Sequence, residues 1–471
     1  MADGRRVLAV LPHEHFARMY LTGPVADALA ADPAVRWWFA TRTPADADHV
    51  RSLGAAGGGW AELVRPFRGA RPAGMGARLR WSLHQVAAAA GFYVHLSLVY
   101  RFNSRHGFRG FRNRLRLSRP ARVLARREGH PVDRWLGWPL PRSRRVERAV
   151  GRLYHARWQR QPEVEALFDD VRPDLLVLAT VQSPFVTPYV LAARARGIAV
   201  LGAIGSWDQP TTKGPMVPGV DRYVAPSRWT AEQARAIHGI EAVDVIGWLQ
   251  MDAHFDDRAA RTRPELLEEL GAGADARLIV FGAYTQRLGA HEPAILAGLK
   301  AQVQAGAFGD ACTLVIRPHP ADTAWRERLG HLDAPPHVVV ESNGQGGAEH
   351  LANLMRHADV VMTSAGTLCL DAVANDTPAI GIAFTADAST PFYDRPERMF
   401  EMEHYASVVE TGAVPLARDA GELVALVREA LADPGRRARE RAALRDLHLE
   451  PLDGLAARRL VGLVREMVDA S

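Results

Sequence analysis

Short apolar runs alternate with longer segments of helical spacing along most of this chain. From Arg172 onward the runs PDLLVLAT, IAVLGAIGS, DRYVAPS and VDVIGW follow one another, with helix-like segments between most of them. A second series begins with RLIVFGA at Arg277 and continues through TLVIRPHP, HVVVES, DVVMTS and TPAIGIAF. Strands that alternate with helices form parallel sheets that are covered by helices on both faces. The pattern therefore predicts an α/β fold with two parallel sheets.

The two series are separated by MDAHFDDRAARTRPEL, at residues 251–266, which has no strand pattern. A chain of 471 residues is also too long for one typical core. We predict an N-terminal domain over residues 1–252, a C-terminal domain over 265–448 and a last helix over 449–471. The N-terminal domain opens with the strands RRVLAVL, at residues 5–11, and VRWWFAT, at 35–41.

A basic insertion over about residues 65–160 interrupts the first series. Residues 61–160 contain 23 arginines and four acidic residues, although the whole chain has a formal net charge of only +5. We predict helices and loops here, because the segment has no clear strand pattern. A basic block of this kind fits a polyanionic partner or an anionic membrane surface, and a solvated Arg-rich insertion explains it equally well.

Several functional classes are excluded by what the sequence lacks. The two cysteines, Cys312 and Cys369, are too few for a disulfide scaffold and are typical of a reducing cytoplasm, where we place the protein. The first apolar run is too short for a signal peptide. No G-x-G-x-x-G turn links a strand to a helix, so we predict no nicotinamide cofactor. The only D-x-D candidate that we weighed, DAD at 46–48, follows no good strand.

The segment TSAGTLCLDAVANDTP, residues 363–378, follows the strand DVVMTS. Its first part, Ser364, Ala365, Gly366 and Thr367, is a loop of small residues at the start of a helix. Backbone N–H groups at such a position can approach an anion closely. Asp371, on the following helix, could accept hydrogen bonds from a ribose diol. An ordinary turn with an exposed acidic side chain is the alternative.

This segment resembles the nucleotide-binding segment of the GT-B superfamily. The superfamily contains nucleotide-sugar glycosyltransferases, CDP-glycerol-type transferases and non-hydrolysing UDP-GlcNAc 2-epimerases. The small-residue loop matches at 364–367, the acidic position at Asp371 and the following turn at 376–378. The epimerase pattern has adjacent acids here, whereas position 370 is Leu, so the transferase interpretation is favoured. The resemblance implies two Rossmann-like domains that face a cleft, with the last helix returning to the N-terminal domain.

Other segments of the second domain resemble the same transferases. VIRPHP ends a strand with Arg317 and places His319 between two prolines, and the resemblance puts both beside the donor phosphates. Tyr284 and Thr285, at the end of FGAYT, could contact the donor. Asn343 and Gly344, after HVVVES, could approach the nucleobase of the donor. A rigid loop with exposed polar side chains is the alternative for VIRPHP.

Two segments of the first domain contain the candidate catalytic and acceptor-binding residues. In LPHEHF, the residues His13, Glu14 and His15 follow the first strand and offer a general base with an orienting acid. In GSWDQPTTKG, which resembles a superfamily loop, Asp208 could assist and Lys213 could contact a phosphate or an acidic acceptor. Solvated histidines and an ordinary turn are the alternatives. A zinc site is disfavoured because further ligands are not evident.

The resemblance implies an inverting, metal-independent glycosyltransferase without a cofactor. The second domain would bind a nucleotide-diphosphate sugar, and the first would bind an acceptor that is lipid-linked or anionic. We predict no nucleic-acid partner and a peripheral association with the inner face of the membrane. A CDP-glycerol-like polyol-phosphate transferase is the alternative within the same fold. A non-catalytic binder of anionic polymer or membrane, acting through residues 61–160, is the alternative outside it.

Overall fold

The computed structural model describes residues 4–64, 74–76, 78–79, 83, 145, 160–213, 216–286, 289–364, 366–387, 395–400 and 402–470. The predicted basic insertion therefore lies almost entirely outside the described residues. The chain forms two compact units: unit 1 comprises Met1–Asp252 with Asp453–Ser471, and unit 2 comprises Ala253–Leu452. No helix in the described part of the chain combines the length and the apolar character needed to cross a membrane.

Unit 1 is built on a parallel sheet. Its strands are β1 (Arg5–Val10), β2 (Val35–Thr41), β3 (Gly57–Glu62), β4 (Leu175–Leu178), β5 (Ala199–Ala203), β6 (Arg222–Ala225) and β7 (Val243–Val245). Within the described residues they lie in the order β3-β2-β1-β4-β5-β6-β7, and each neighbouring pair is parallel. This doubly wound order reverses direction between β1 and β4, and ligands of such sheets bind beyond the strand ends at this switch point.

The helices of unit 1 lie between its strands along the chain. They are α1 (Glu14–Leu21), α2 (Gly23–Ala30), α3 (Asp46–Ser52), α4 (Pro162–Val171), α5 (Thr187–Ala195), α6 (Gln209–Thr212) and α7 (Arg228–Gln233). The sequence prediction missed β3 because GGGWAE has a glycine-rich start, and glycine disfavours strands. The DAD segment, expected in a polar loop, forms the first turn of α3.

Unit 2 has the same architecture. Its strands are β8 (Arg277–Gly282), β9 (Cys312–Arg317), β10 (Val338–Val340), β11 (Val360–Thr363), β12 (Ala379–Ile382) and β13 (Leu416–Ala417). The described strands lie in the order β10-β9-β8-β11-β12-β13, all parallel. The switch point of this sheet therefore lies between β8 and β11.

The remaining helices are those of unit 2 and the C-terminal helix. They are α8 (Arg263–Glu269), α9 (Glu292–Gln304), α10 (Trp325–Leu329), α11 (Gly347–His357), α12 (Leu368–Ala374), α13 (Glu397–Phe400), α14 (Glu403–Glu410), α15 (Ala420–Ala432), α16 (Ala438–His448) and α17 (Ala456–Asp469). Short 3-10 or π turns complete the fold at 54–56, 184–186, 234–238, 249–255, 257–259 and 330–332.

The C-terminal helix α17 belongs to the core of unit 1. Its residues Leu460 and Val464 are fully buried in the same apolar cluster as Val7 and Ala9 of β1. The buried Asp252 accepts hydrogen bonds from the first turn of α17, from Ala456 N at 3.1 Å and Ala457 N at 2.8 Å. A carboxylate at this position satisfies N–H groups that have no partner within the helix.

We expect Asp252→Ala to lower the free energy of unfolding by about 1–3 kcal/mol, because it leaves two buried N–H groups without an acceptor. Urea denaturation, monitored by circular dichroism, measures this loss. The exposed Asp170 of α4 provides a control, and Asp170→Ala should change the midpoint little. An equal loss in both variants would contradict the capping role of Asp252.

Candidate functional site

The carboxyl edge of the unit 1 sheet brings together side chains that follow three of its strands. His13 follows β1 and Arg42 follows β2, while Phe185 lies in the turn after β4. The His13 and Phe185 rings meet edge to face with centroids 6.4 Å apart, and the Arg42 guanidinium lies 5.7 Å from the centre of the Phe185 ring. The structure thus places His13 at the switch point of this sheet.

His13 is half-buried at the N-terminus of α1. Burial lowers its pKa below the usual value of 6.5, and the positive charges of Arg42 and Lys213 lower the pKa further. The imidazole is therefore neutral at pH 7 and available to accept a proton. This property suits a general base, because the free nitrogen does not first have to lose a proton.

The loop after β5 carries Asp208 and Lys213. Lys213 Nζ lies 2.9 Å from Asp208 Oδ2, so the two predicted residues form an ion pair. The buried Gln209 holds the loop in place, because its Oε1 accepts hydrogen bonds from Thr180 Oγ1 at 3.2 Å and Gly205 N at 3.1 Å. Nothing in the local sequence marks this anchoring role of Gln209, which appears only in three dimensions.

The loop after β5 also packs on α1. A Cβ atom added at Gly205 would lie only 2.5 Å from the Phe16 ring and 2.7 Å from the Ala179 carbonyl oxygen. Only glycine therefore allows this approach. The close contact explains how the segments around His13 and Asp208, far apart in sequence, come to the same edge of the sheet.

Glu14 and His15 differ from His13 in being exposed on the first turn of α1. The His15 ring packs against the Phe16 ring at 4.0 Å between centroids and stacks with the His13 ring at 5.6 Å. Partial burial lowers the pKa of His15. Repulsion from His13 when that ring is protonated, and the positive charge of Arg18, lower it further, while Asp208 opposes this effect. Of the two histidines, His13 is the one whose ring contacts Phe185 in the turn after β4.

An apolar pocket lies beside this cluster, at the carboxyl ends of β5, β6 and β7. Its lining includes Met19, Tyr20, Ile204, Gly205 and Trp248. The Tyr20 hydroxyl is buried and finds no hydrogen-bond partner among the residues that the structure describes. Burial raises the pKa of this hydroxyl, so it is present as a neutral donor and acceptor. The pocket was not predicted, since its residues come from five separate segments.

In unit 2 the loops after β8 and β11 meet at the switch point. Gly282 and Thr363, the last residues of the two strands, are register partners. The Ser364 hydroxyl lies 2.8 Å from Glu292 Oε1 and 3.3 Å from His291 Nε2. Gly366 and Thr367 lead into α12, whereas Ala365 lies outside the described residues. The structure thus joins the predicted small-residue loop to Glu292, which the sequence prediction missed.

Glu292 is fully buried and forms the centre of a polar network. Its carboxylate accepts from Tyr284 N at 2.9 Å and lies 3.6 Å from the Arg328 guanidinium. Arg328 also donates to the Tyr284 carbonyl at 3.0 Å and to Gly289 O at 2.7 Å, and it pairs with Asp322. Both ends of the loop after β8 are therefore held by buried charged groups.

Arg317, predicted beside the donor phosphates, is buried at the end of β9. Its guanidinium lies 2.5 Å from Glu341 and 3.0 Å from the Gln345 carbonyl oxygen, and Glu341 also contacts His350 Nε2 at 2.6 Å. Each of these partners belongs to the protein itself. The contacts of Arg317 are thus those of a residue that braces the loop after β10.

His319 is exposed, in contrast to Arg317. Its ring stacks with the Tyr284 ring at 6.3 Å between centroids, and its Nδ1 accepts a hydrogen bond from Ala321 N at 3.0 Å. Thr285 is half-buried one residue beyond Tyr284. Asn343 donates to the Pro320 carbonyl at 3.1 Å, so this part of the loop after β10 contacts the VIRPHP segment. The structure therefore brings Tyr284 together with His319.

Asp371 is buried in α12 rather than exposed. His254 Nε2 lies 3.4 Å from its Oδ1, and the other His254 nitrogen lies 2.8 Å from Asn375 Nδ2. Asn375 also donates to the Asp371 carbonyl at 2.9 Å. His254 lies in the predicted boundary segment, where no periodic pattern marked it. Leu370 is fully buried as well, which explains why an apolar residue suits this position.

Among the described residues, no group of three or more His, Cys, Asp and Glu side chains is arranged to hold a metal ion. Both cysteines are buried as free thiols. Burial raises the pKa of the Cys369 thiol to about 12, so it stays protonated near neutral pH. Its hydrogen bond to the Gly366 carbonyl at 3.3 Å, and that of Tyr405 to the same oxygen, fix the start of α12.

No protein-family model and no curated protein matches this sequence. Solved structures are similar over nearly the full length. A Listeria monocytogenes protein assigned as a UDP-N-acetylglucosamine 2-epimerase has a TM-score of 0.56 and 14% identity, covering 100% of this chain and 98% of its own. A Neisseria meningitidis UDP-GlcNAc 2-epimerase bound to UDP-GlcNAc has a TM-score of 0.51 and 11% identity, covering 98% and 100%.

A glycosyltransferase from Rickettsia africae has a TM-score of 0.51 and 10% identity, covering 100% of both chains. The epimerases and this glycosyltransferase share one architecture, in which two Rossmann-like domains each contain a parallel sheet. The two doubly wound sheets of the present chain match it, which confirms the fold prediction. The chain has the GT-B fold.

Proposed function

We propose that this protein is an enzyme that acts on a nucleoside-diphosphate sugar and transfers the sugar to an acceptor. The observation that carries the proposal is the position of His13 at the switch point of the unit 1 sheet, near the Asp208–Lys213 ion pair. The pKa of His13 is lowered there. A neutral imidazole among basic side chains suits the removal of a proton from an acceptor hydroxyl. Attack by that hydroxyl on the anomeric carbon forms the new glycosidic bond and breaks the bond to the diphosphate, so the nucleoside diphosphate leaves and the configuration inverts. The hydroxyl proton goes to His13, and the step needs no bound metal.

Unit 2 is the proposed donor-binding unit. Structural neighbours of the chain include UDP-GlcNAc 2-epimerases, and the Neisseria meningitidis structure has UDP-GlcNAc bound. The loops after β8 and β11 would contact the diphosphate through Tyr284, Thr285 and residues 364–367, with His319 nearby. Asp371, held by His254, would either contact the ribose directly or hold α12 in position beside it. Arg317 would support the loop after β10.

Unit 1 is the proposed acceptor-binding unit. Lys213 would contact an acidic or phosphate group of the acceptor, and Asp208 would hold Lys213 and assist the base. The apolar pocket around Met19, Ile204 and Trp248 suits an acceptor with an apolar portion. Burial of such a portion contributes roughly 25 cal/mol per Å² of apolar surface removed from water.

Epimerisation of a nucleotide sugar is the second candidate. It is favoured by the names of the Listeria and Neisseria structures. Against it stands Leu370, which is buried where the epimerase pattern has an acid. Both reactions use the same donor and require a base, so the two candidates differ in whether an acceptor is needed.

We expect UDP-GlcNAc or another nucleoside-diphosphate sugar to raise the melting temperature of the protein, because a ligand that binds only the folded state stabilises it by about 2.7 kcal/mol at 100 times its Kd. A thermal-shift screen of nucleoside diphosphates and their sugars measures this effect, with the corresponding nucleosides as controls. If none of the diphosphates shifts the melting temperature, the proposal is wrong.

Proton NMR of the enzyme with the bound sugar nucleotide then separates the candidates. A second sugar nucleotide that forms without an acceptor identifies an epimerase. Release of nucleoside diphosphate only when an acceptor is present identifies a transferase. Release of CMP from a CDP-alcohol would instead indicate a polyol-phosphate transferase and contradict sugar transfer.

A further inference from the structure

Glu292 links the two loops that meet at the switch point of unit 2. One of its oxygens accepts a hydrogen bond from the Ser364 hydroxyl at 2.8 Å, and the other accepts from Tyr284 N at 2.9 Å. Ser364 follows β11, while Tyr284 follows β8. A single buried carboxyl group therefore sets the spacing of both loops, and the proposed donor site is formed by these loops.

The Ser364 hydroxyl has only one hydrogen, so its direction depends on the ionisation of Glu292. When Glu292 is ionised, the hydroxyl donates to the carboxylate, and His291 Nε2–H can donate to the Ser364 oxygen over 3.3 Å. When Glu292 is protonated, its O–H can donate to Ser364, and the hydroxyl hydrogen becomes available to His291 Nε2. The ionised network therefore carries one more negative charge than the protonated one.

The charged and titratable groups around Glu292 come from several elements. Arg328 of α10 lies 3.6 Å away and is shared with Asp322, which precedes that helix. His291 directly precedes α9, and burial together with Arg328 lowers its pKa to about 4. Tyr284 presents its backbone N–H, and the exposed His319 stacks on the Tyr284 ring. Because Asp322 offsets the charge of Arg328, an ionised Glu292 leaves this cluster with a net negative charge.

We propose that Glu292 is a positioning residue of the donor-binding loops and that it takes up one proton from solvent when a nucleoside-diphosphate sugar binds there. The diphosphate brings negative charge to the loop that Ser364 begins, and like charges in a site of low dielectric disfavour a second ionised group. Protonation removes the repulsion and keeps a hydrogen bond between Glu292 and Ser364. This inference rests on the proposed function.

The environment of Glu292 supports proton uptake near neutral pH. Burial raises its pKa to about 7, although Ser364, Tyr284 and Arg328 oppose the shift. The folded pKa thus lies above the unfolded value of 4.5. The stability contributed by this group is complete below pH 4.5 and is lost as pH rises through 7. Only a proton is exchanged with the solvent, so no oxidant or co-reactant is required.

The test compares the full chain with Glu292→Gln, since Gln resembles a permanently protonated Glu. UDP-GlcNAc is the probe, because its diphosphate does not titrate near neutral pH. Calorimetric titrations at pH 6, 7 and 8 should show the wild-type Kd rising by about tenfold, whereas the Kd of Glu292→Gln should change less than twofold. Glu327→Gln, at an exposed position of α10, is the matched control and should follow the wild type.

Titrations of wild-type protein at pH 7.5 in two buffers of different ionisation enthalpy count the protons directly. We expect the protein to take up a substantial fraction of one proton for each ligand that it binds. An uptake near zero overturns the inference, even if Glu292→Gln does not fold. The same pH dependence in wild type and in Glu292→Gln also overturns it, while leaving the proposed function intact. An absence of UDP-GlcNAc binding at every pH contradicts the choice of ligand in both proposals.

Discussion

Replacement of Arg317 by methionine is expected to lower the free energy of unfolding by about 3–5 kcal/mol, because it leaves a charged partner buried without its counter-ion. The Arg317 side chain is 8% exposed and that of Glu341 is 0% exposed, so water cannot replace the lost hydrogen bonds. The carbonyl groups of Gln345 and Gly347 lose a donor as well. Urea titration of the purified variant measures the change.

Arg439→Met is the matched control, since Arg439 lies exposed on α16 of the same unit. It should change stability by less than about 0.5 kcal/mol. Adding Glu341→Gln to Arg317→Met should cost less than the sum of the single changes, because the two residues share one network. An Arg317→Met protein that is as stable as wild type but no longer binds a nucleoside diphosphate would instead support direct contact with the donor.

Removal of the His13 imidazole is expected to lower kcat/KM by about 10²–10⁴-fold, the usual contribution of a general base. His13→Ala should still bind the nucleoside-diphosphate sugar, because the proposed donor site lies in unit 2. Turnover of the donor identified by the thermal-shift screen measures the first effect, and calorimetry measures the second. The exposed His49 of α3 is the control, and His49→Ala should retain wild-type activity.

The pH profile gives an independent test of the same base. Burial and the charges of Arg42 and Lys213 lower the pKa of His13, so the neutral form persists below pH 6.5. Activity should therefore decline only when the pH falls below the usual histidine range. If His15→Ala abolishes activity while His13→Ala does not, the base has been assigned to the wrong histidine.

The strand pattern of the sequence was sufficient to predict an α/β fold with two parallel sheets, whereas the GT-B fold was predicted from the resemblance. The apolar runs at 277–283 and 359–364 contain β8 and β11. These segments are long or strongly apolar, so local composition and tertiary burial favour the same structure. The two-residue strand β13 and the glycine-rich β3 are exceptions, since neighbouring strands stabilise them more than their own residues do.

The candidate site was only partly accessible to sequence reasoning. Small-residue loops and polar strand ends marked Ser364, His13 and Asp208, because such residues follow buried strands. Nothing local distinguishes Glu292 from the many acidic residues in first helical turns, which usually favour the helix dipole from an exposed position. Its burial follows from contacts with Tyr284 and Ser364, which are eight residues before it and 72 residues after it.

The sequence by itself determined most of the described strands and helices, and therefore that the chain is an α/β protein with two parallel sheets. Hydrophobic periodicity is a local property, and burial of each apolar face leaves few alternative arrangements. Only the tertiary structure decided which polar residues pair inside the protein. Arg317, Asp371 and Glu292 are buried with Glu341, His254 and Ser364 respectively. Those pairs depend on which strand ends become neighbours, and residue spacing along the chain does not contain that information.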